Sequence, residues 1–179
     1  QTCALPIFMD DNGIATAITS LSQPGVHFGD GVKACELARR CNDFAADMNA
    51  RWPQRFGAFA TLPLPDVDGA LEETARCLDQ LHFDGVCLFA SYGARFLGDP
   101  AFDPLMEELN RRRAVVFVHP AMHPSMAAVD LPWPGFMMEY PFDTTRAAVN
   151  LIFTGALQRY PNIRFILSHA GGEIGRAHV

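Results

Sequence analysis

The 179-residue chain is 49% hydrophobic and 19% charged, with a formal net charge of −6. This composition is typical of a globular enzyme domain with a substantial core. The acidic balance excludes nucleic acid as an expected partner, because phosphate backbones bind clustered Lys and Arg. No apolar stretch approaches the roughly 20 residues of a membrane span, so no membrane partner is expected either.

The start of the sequence and its cysteines both favour a cytoplasmic protein. No basic region followed by an apolar core opens the chain, so no signal peptide is visible. The five cysteines form no C-x-x-C pair, and we interpret them as reduced, packed thiols. Lys33 is the only lysine, which leaves Schiff-base chemistry without an obvious nucleophile.

Apolar runs alternate with amphipathic stretches along the chain. The apolar runs predict five strands, at residues 14–22, 56–64, 85–91, 114–120 and 164–170. The first intervening helix is predicted between Asp30 and Trp52. Its apolar positions recur at helical spacing: Leu37, Cys41, Phe44, Met48 and Trp52.

The later helices follow the same pattern. Asp66 predicts the cap of a helix that buries Leu71, Ala75, Leu78 and Leu81. The next helix buries the apolar positions Phe102, Leu105, Met106 and Leu109. A long loop rich in proline and aromatic residues is then expected to end at a helix capped by Asp143. The apolar face of that helix comprises Ala148, Leu151, Ile152 and Gly155.

Strands that are apolar throughout and alternate with helices predict an α/β fold with a parallel sheet buried on both faces. Five such strands fit either an open doubly wound sheet or part of a (β/α)8 barrel. In both architectures, residues that carry chemistry collect at the carboxyl ends of the strands.

The sequence at each end of the chain indicates that these terminal residues are not native. The DNA word CAG-ACG-TGT-GCT-CTT-CCG-ATC translates to residues 1–7, and its reverse complement contains ATC-GGA-AGA-GCA-CAC-GTC, which translates to residues 174–179. One inverted word, of the kind used as an adapter in sequencing libraries, thus accounts for both ends. We therefore expect residues 1–7 and 174–179 to be adapter-derived, and residues 8–173 to be a truncated native domain.

Two histidines stand at the ends of successive predicted strands. His119 ends "VVFVHP", and His169 ends "RFILSHA" before two glycines. A strand-end imidazole can offer a nitrogen to a metal, although bonding to a loop carbonyl is an equally ordinary role. Adjacent parallel strands lie only about 5 Å apart, so both imidazoles are placed to face one cavity.

Four other residues are weaker candidates for substrate binding. Arg95 follows the third strand, where it either holds a substrate carboxylate or forms a surface ion pair. Trp133, Phe136 and Tyr140 either wall an aromatic pocket or anchor their loop in the core. His27 and His123, in loops beyond strand ends, are interpreted as solvated or supporting residues.

The stretches "FATLPLPDVDGALEE", "VVFVHP" and "YPFDTTRAAVNLIFTGALQRYPNIRFILSHAGG" resemble the amidohydrolase-related metal-dependent decarboxylases. This family includes 2-amino-3-carboxymuconate 6-semialdehyde, γ-resorcylate and 6-methylsalicylate decarboxylases, and "LGDPAFDPL" is most similar to the 6-methylsalicylate branch. The resemblance implies a partial TIM barrel, in which the five predicted strands are about strands 2 to 6 of eight, truncated at both ends.

The resemblance also implies roles for the two histidines. His119 matches the family's metal-ligating histidine, and His169 the active-site histidine that assists proton transfer. The family's remaining ligands, an H-x-H or E-x-H after the first strand and an aspartate after the eighth, would fall outside residues 8–173. One divalent cation is implied, zinc first and manganese as the alternative.

The implied reaction is nonoxidative loss of CO2 from an aromatic or related unsaturated carboxylic acid such as 6-methylsalicylate. The alternatives are a mononuclear metal-dependent amidohydrolase or lactonase on the same barrel, and an inactive truncated fragment that lacks most metal ligands. The expected partners are a small carboxylic acid substrate and, for the parent protein, a second copy in a homodimer.

Overall fold

Seven strands are present in the computed structural model, which describes residues 4–128 and 132–176. They are β1 (Ala17–Thr19), β2 (Phe56–Thr61), β3 (Gly85–Phe89), β4 (Ser91–Tyr92), β5 (Arg95–Phe96), β6 (Val115–His119) and β7 (Arg164–Leu167). Five of them form one parallel sheet in the order β1-β2-β3-β6-β7, and β4 pairs with β5 in an antiparallel hairpin. All five predicted strands are confirmed, each shorter than its apolar run.

The strand order distinguishes the two architectures that the sequence left open. The order across the sheet follows the order along the chain without a reversal. A doubly wound sheet reverses direction at a switch point, whereas a barrel sheet keeps one direction. The sheet is therefore an open arc of the barrel type.

In the described ranges, seven α-helices connect and cover these strands. They are α1 (Ala4–Asp11), α2 (Gly31–Arg51), α3 (Val67–Ala75), α4 (Asp103–Arg111), α5 (Phe136–Phe153), α6 (Ala156–Arg159) and α7 (Ser168–Arg176). The predicted cap of α3 is confirmed, because Asp66 accepts a hydrogen bond from Gly69 N at 3.1 Å, and Asp30 caps α2 in the same way by accepting one from Lys33 N at 3.1 Å. Among the described residues, no helix combines the length and apolar character that crossing a bilayer requires.

The core lies between the helices and one face of the sheet. Small and β-branched strand residues such as Ala58, Val86 and Val116 are fully buried there, together with Leu105 and Leu109 of α4. The other face is less covered: Phe59 stacks on Phe117 with ring centroids 5.7 Å apart, and Ile166 is 46% exposed. Layers of this kind place the carboxyl strand ends at one rim of the sheet.

The predicted apolar stripe of α2 does not face this core. Ala34, Ala38 and Asn42 are the buried residues of the helix, and Phe44 is 72% exposed. The small alanines allow α2 to approach the sheet closely. The stripe residues Leu37, Cys41, Phe44 and Met48 instead line a groove of about 540 Å³.

The predicted start of α5 was also wrong. The helix begins at Phe136 and continues through Pro141, so Asp143 lies inside it and is not its cap. A proline in a helix removes one backbone hydrogen bond. Burial of Ala147, Ala148 and Leu151 on the same helix offsets that loss.

Candidate active site

His119 is the last residue of β6, and its side chain is half-buried at the rim of the sheet. Its Nδ1 lies 2.9 Å from the carbonyl oxygen of Pro120. Because a carbonyl only accepts hydrogen bonds, Nδ1 carries the proton and Nε2 keeps a free lone pair. The backbone carbonyl of His119 accepts a hydrogen bond from Ala90 N at 2.8 Å. The ring is thereby oriented with one nitrogen available as a ligand.

His169 follows the end of β7 by two residues and leaves the strand through a left-handed turn. The φ angles are +52° at His169, +55° at Ala170 and +79° at Gly171. Two consecutive residues other than glycine in this region are strained, and such strain collects at functional sites. Partial burial, with a smaller contribution from His119, lowers the pKa of His169 below its ordinary value.

Gly172 allows this turn to pack against α5. Its φ is +63° and its ψ −141°, a conformation that essentially only glycine adopts. A Cβ at this position would collide with the carbonyl oxygen of Pro141 and lie 2.6 Å from Thr145 Oγ1. The glycine after the strand-end histidine is therefore required by close approach as well as by backbone conformation.

The structure brings three predicted site residues together. The ring centroids of His119 and His169 are 5.7 Å apart, those of His119 and Tyr140 are 5.8 Å apart, and those of Tyr140 and His169 are 5.9 Å apart. Phe136 extends the group, with its ring 5.8 Å from that of Tyr140. Phe136 is 50% exposed.

The other two predicted site residues are not part of this triangle. Arg95 is exposed on β5, and within the described ranges no ion pair or side-chain hydrogen bond joins it to another residue. Trp133 is 48% exposed in the segment before α5 and makes no ring contact with a described residue. The sequence prediction for these two positions stays a prediction.

A cavity of about 360 Å³ lies at the same rim of the sheet. Its lining includes His27, Phe89, Ser91, Tyr92 and Ala121. Phe89 connects the cavity to the triangle, because its ring is 6.3 Å from that of His119. Tyr92 accepts a hydrogen bond from Phe89 N at 2.9 Å, and burial raises the pKa of its hydroxyl.

Asp143 is the residue of this region that the sequence interpretation missed. Asp143 is 1% exposed. Its carboxylate accepts a hydrogen bond from Ala121 N at 2.7 Å and another from Ser91 Oγ, which lies 3.3 Å from each carboxylate oxygen. Burial raises the pKa of Asp143, and these hydrogen bonds oppose that shift. The signal in the sequence was Asp143 itself, an acidic residue in an otherwise apolar helix face.

The donor set fits part of a metal site. Imidazole nitrogens are suitable ligands for a divalent cation, and the two rings lie edge to face with centroids 5.7 Å apart. In the part of the chain that the structure describes, no three His, Cys, Asp or Glu side chains converge into a complete cluster. A mononuclear site needs at least three protein ligands, so His119, with His169 beside it, would supply only part of the site.

Comparisons with known proteins agree with this geometry. A model of the amidohydrolase family matches residues 8–176. The chain is 44% identical over 165 residues to the 6-methylsalicylic acid decarboxylase acuB of Aspergillus aculeatus, covering 90% of this chain and 50% of that protein. It is 34% identical over 174 residues to the gamma-resorcylate decarboxylase of Rhizobium radiobacter, covering 91% and 53%.

A solved structure has the same fold. The 5-carboxyvanillate decarboxylase of Novosphingobium aromaticivorans, in complex with manganese and 4-hydroxy-3-methoxy-5-nitrobenzoic acid, superposes with a TM-score of 0.87 at 27% identity. The match covers 97% of this chain and 50% of that one. The chain thus spans about half the length of the relatives it matches. The predicted resemblance and the partial barrel are both confirmed, and the chain belongs to the amidohydrolase family.

Proposed function

We propose that the protein containing residues 8–173 is a metal-dependent nonoxidative decarboxylase of an aromatic carboxylic acid similar to 6-methylsalicylate. The observation that carries the proposal is the triangle of His119, His169 and Tyr140 at the carboxyl rim of a barrel-type sheet. The names of the relatives at 44% and 34% identity support the same chemistry.

One divalent cation, zinc or manganese, is the proposed cofactor, with His119 Nε2 as a ligand and His169 beside it. Imidazole nitrogens accept either metal, and manganese is bound in the solved 5-carboxyvanillate decarboxylase. When bound, such a cation stabilises negative charge on the substrate's carboxylate or phenolic oxygen as a Lewis acid.

His169 is the proposed proton carrier. Partial burial and His119 lower the pKa of His169, so its protonated form gives up a proton more readily than an ordinary imidazolium. That proton goes to the ring carbon that bears the carboxylate. The bond from that carbon to the carboxylate then breaks, its electron pair restores the aromatic ring, and CO2 leaves.

Aromatic side chains are placed to hold the substrate ring. Tyr140 and Phe136 lie on the α5 side of the histidines, and Phe89 lies on the cavity side. Offset or edge-on contacts with such rings stabilise a bound aromatic acid. Trp133 and Arg95 are proposed to join them when substrate binds, Arg95 as a partner for a carboxylate.

A cytoplasmic location and a homodimer complete the proposal. Burial raises the pKa of the Cys87 thiol to about 12, so this thiol stays protonated and unreactive, as suits a reducing compartment.

Exposed apolar side chains of α5, including Phe153 at 86% exposure, support an interface with a second copy. Light scattering of the whole enzyme tests the assembly.

The deciding experiment uses the 179-residue chain and the longer reading frame recovered from the source DNA. Each protein is supplied with Zn²⁺ or Mn²⁺ and assayed with 6-methylsalicylate, 2,6-dihydroxybenzoate and an aromatic lactone. We expect the longer protein to convert 6-methylsalicylate into 3-methylphenol and CO2. We expect the 179-residue chain to be inactive and prone to aggregation, because its sheet edges are unpaired.

Variants of the longer protein test the role of His169 against a control histidine. His169→Asn should lower kcat at least ~100-fold, the usual contribution of a positioned proton donor. His82→Asn is the matched control, since His82 is exposed at the opposite end of β3 and has a positive φ that Asn tolerates. Lactone hydrolysis without CO2 release would instead support the hydrolase alternative.

A further inference from the structure

Asp143 is a buried carboxylate in the middle of a helix. Its residue is 1% exposed, and among the described residues no ion pair joins it to a cation. Burying a carboxylate without a cation is unfavourable, and here only neutral donors offset that cost. A charged residue at such a position is a candidate for a role beyond stability.

The hydrogen bonds of Asp143 close a ring of contacts around the segment that follows His119. The carbonyl of His119 accepts from Ala90 N at 2.8 Å, and Ser91, the next residue along, donates its hydroxyl to Asp143. Asp143 in turn accepts from Ala121 N at 2.7 Å, two residues beyond His119. The segment from His119 to Ala121 is therefore held on both sides, by β3 and by α5.

The same contacts set two walls of the neighbouring cavity. Ser91 and Ala121 both line it, and Asp143 joins them through one carboxylate. One turn earlier on α5, Tyr140 faces both histidines. Without the carboxylate, the amide of Ala121, a residue that is 7% exposed, would be left unpaired, and buried unpaired amides force the backbone to move.

We propose that Asp143 is a positioning residue that fixes the loop after β6, and through it the orientation of the His119 imidazole and the width of the adjacent cavity. The proposal rests on the proposed function in that His119 is the ligand being positioned. Charge-assisted hydrogen bonds accepted by a carboxylate are stronger than those accepted by an amide or hydroxyl oxygen, which explains why an acidic residue occupies this buried position.

The test compares Asp143→Ala and Asp143→Asn with Thr144→Val in the longer protein recovered from the source DNA. Thr144 is the adjacent residue, is fully buried, and donates its hydroxyl only to the Tyr140 carbonyl of its own helix. Valine has the same shape, so Thr144→Val controls for a general loss of stability in α5. Asn keeps one acceptor oxygen, and therefore keeps the variant folded if Asp143→Ala does not fold.

Three measurements distinguish a change in the position of the loop and of the His119 ring from a general loss of stability. These are the hydrogen exchange of the Ala121 amide, the NMR signals of the His119 ring nitrogens, and the affinity for Zn²⁺ alone. We expect Asp143→Ala to accelerate exchange at Ala121, to shift the His119 signals and to weaken Zn²⁺ binding by roughly 10-fold, as loss of residues supporting a ligand does. Asp143→Asn should give the same changes in weaker form.

Thr144→Val should lower the unfolding temperature without any of the three changes. The proposal is overturned if both Asp143 variants leave Ala121 exchange and the His119 signals like those of Thr144→Val. If the wild-type protein binds no Zn²⁺, the metal dependence in the proposed function is contradicted. The exchange and ring signals still decide the role of Asp143 in that case, so the two failures are distinguishable.

Discussion

His119 and His169 lie 5.7 Å apart, yet the chain holds them in different ways. His119 ends a regular strand, its backbone carbonyl accepts a hydrogen bond from Ala90 N, and its Nδ1 lies 2.9 Å from Pro120 O. His169 lies in a left-handed turn, and its side chain is more exposed. A fixed imidazole with a free Nε2 suits a metal ligand, whereas an exposed one with a lowered pKa suits exchange of protons with substrate and solvent.

The largest expected effect comes from removing His119, the imidazole that the strand holds in place. His119→Ala should lower the Zn²⁺ affinity of the longer protein at least ~100-fold, because loss of a direct ligand weakens binding more than the 10–100-fold loss caused by removing a supporting residue. A competition assay with a zinc indicator measures it, and His82→Asn serves as the control. Equal affinity in the two variants would exclude His119 as a ligand.

The next effect concerns the turn that holds His169. Gly172→Ala should lower the free energy of unfolding by about 3 kcal/mol, since the new Cβ collides with Pro141 O and the backbone conformation is restricted to glycine. Gly171→Ala is the matched control: its Cβ would meet nothing closer than Leu167 Cδ1 at 4.0 Å. Strain from the positive φ alone should then give a loss of only about 1 kcal/mol.

Urea denaturation of both variants measures the difference. A Gly172→Ala variant as stable as Gly171→Ala would mean that the turn does not pack against α5 as described.

A smaller effect distinguishes the two histidines by pH. The pKa of His169 is lowered in the folded chain from its ordinary value of 6.5, so the unfolded chain binds its proton at a higher pH than the folded chain does. The free energy of unfolding should therefore fall as pH falls from about 6.5 through the lowered pKa. Denaturation curves between pH 5 and 7.5 should show a shallower pH dependence for His169→Asn than for the wild type.

The smallest effect is expected at Arg95. The side chain is exposed and has no described partner in a hydrogen bond or ion pair, so Arg95→Ala should change the free energy of unfolding by less than about 0.5 kcal/mol. If substrate recruits Arg95, the same variant of the longer enzyme should raise KM while leaving kcat nearly unchanged. An unchanged KM would remove Arg95 from the substrate site.

Local patterns predicted most of the fold. The apolar runs located all five sheet strands, and the cap Asp66 marked the start of α3. The start of α5 was not predicted, because Pro141 has the local signature of a helix end and tertiary burial overrides it. The apolar stripe of α2 did not predict the buried face of the helix for a related reason, because the helix packs through its alanines.

Half of the candidate site was also readable from the sequence. The two strand-end histidines were predicted together because the rim of a parallel sheet brings them together. The role of Asp143 was not, since its partners Ser91 and Ala121 lie 52 and 22 residues away along the chain. Contacts at that separation depend on how the helix is placed on the sheet, which local periodicity does not encode.

The most direct test of the central claim is a Mn²⁺ titration of the longer protein with ¹⁵N-labelled histidines. A paramagnetic ion broadens the ring signals of the imidazoles nearest to it. If His119 and His169 face one cation, their signals should broaden together at the lowest Mn²⁺ concentrations, before those of His27, His82 and His123. Broadening of the other histidines first, or of His119 without His169, would contradict a shared metal site.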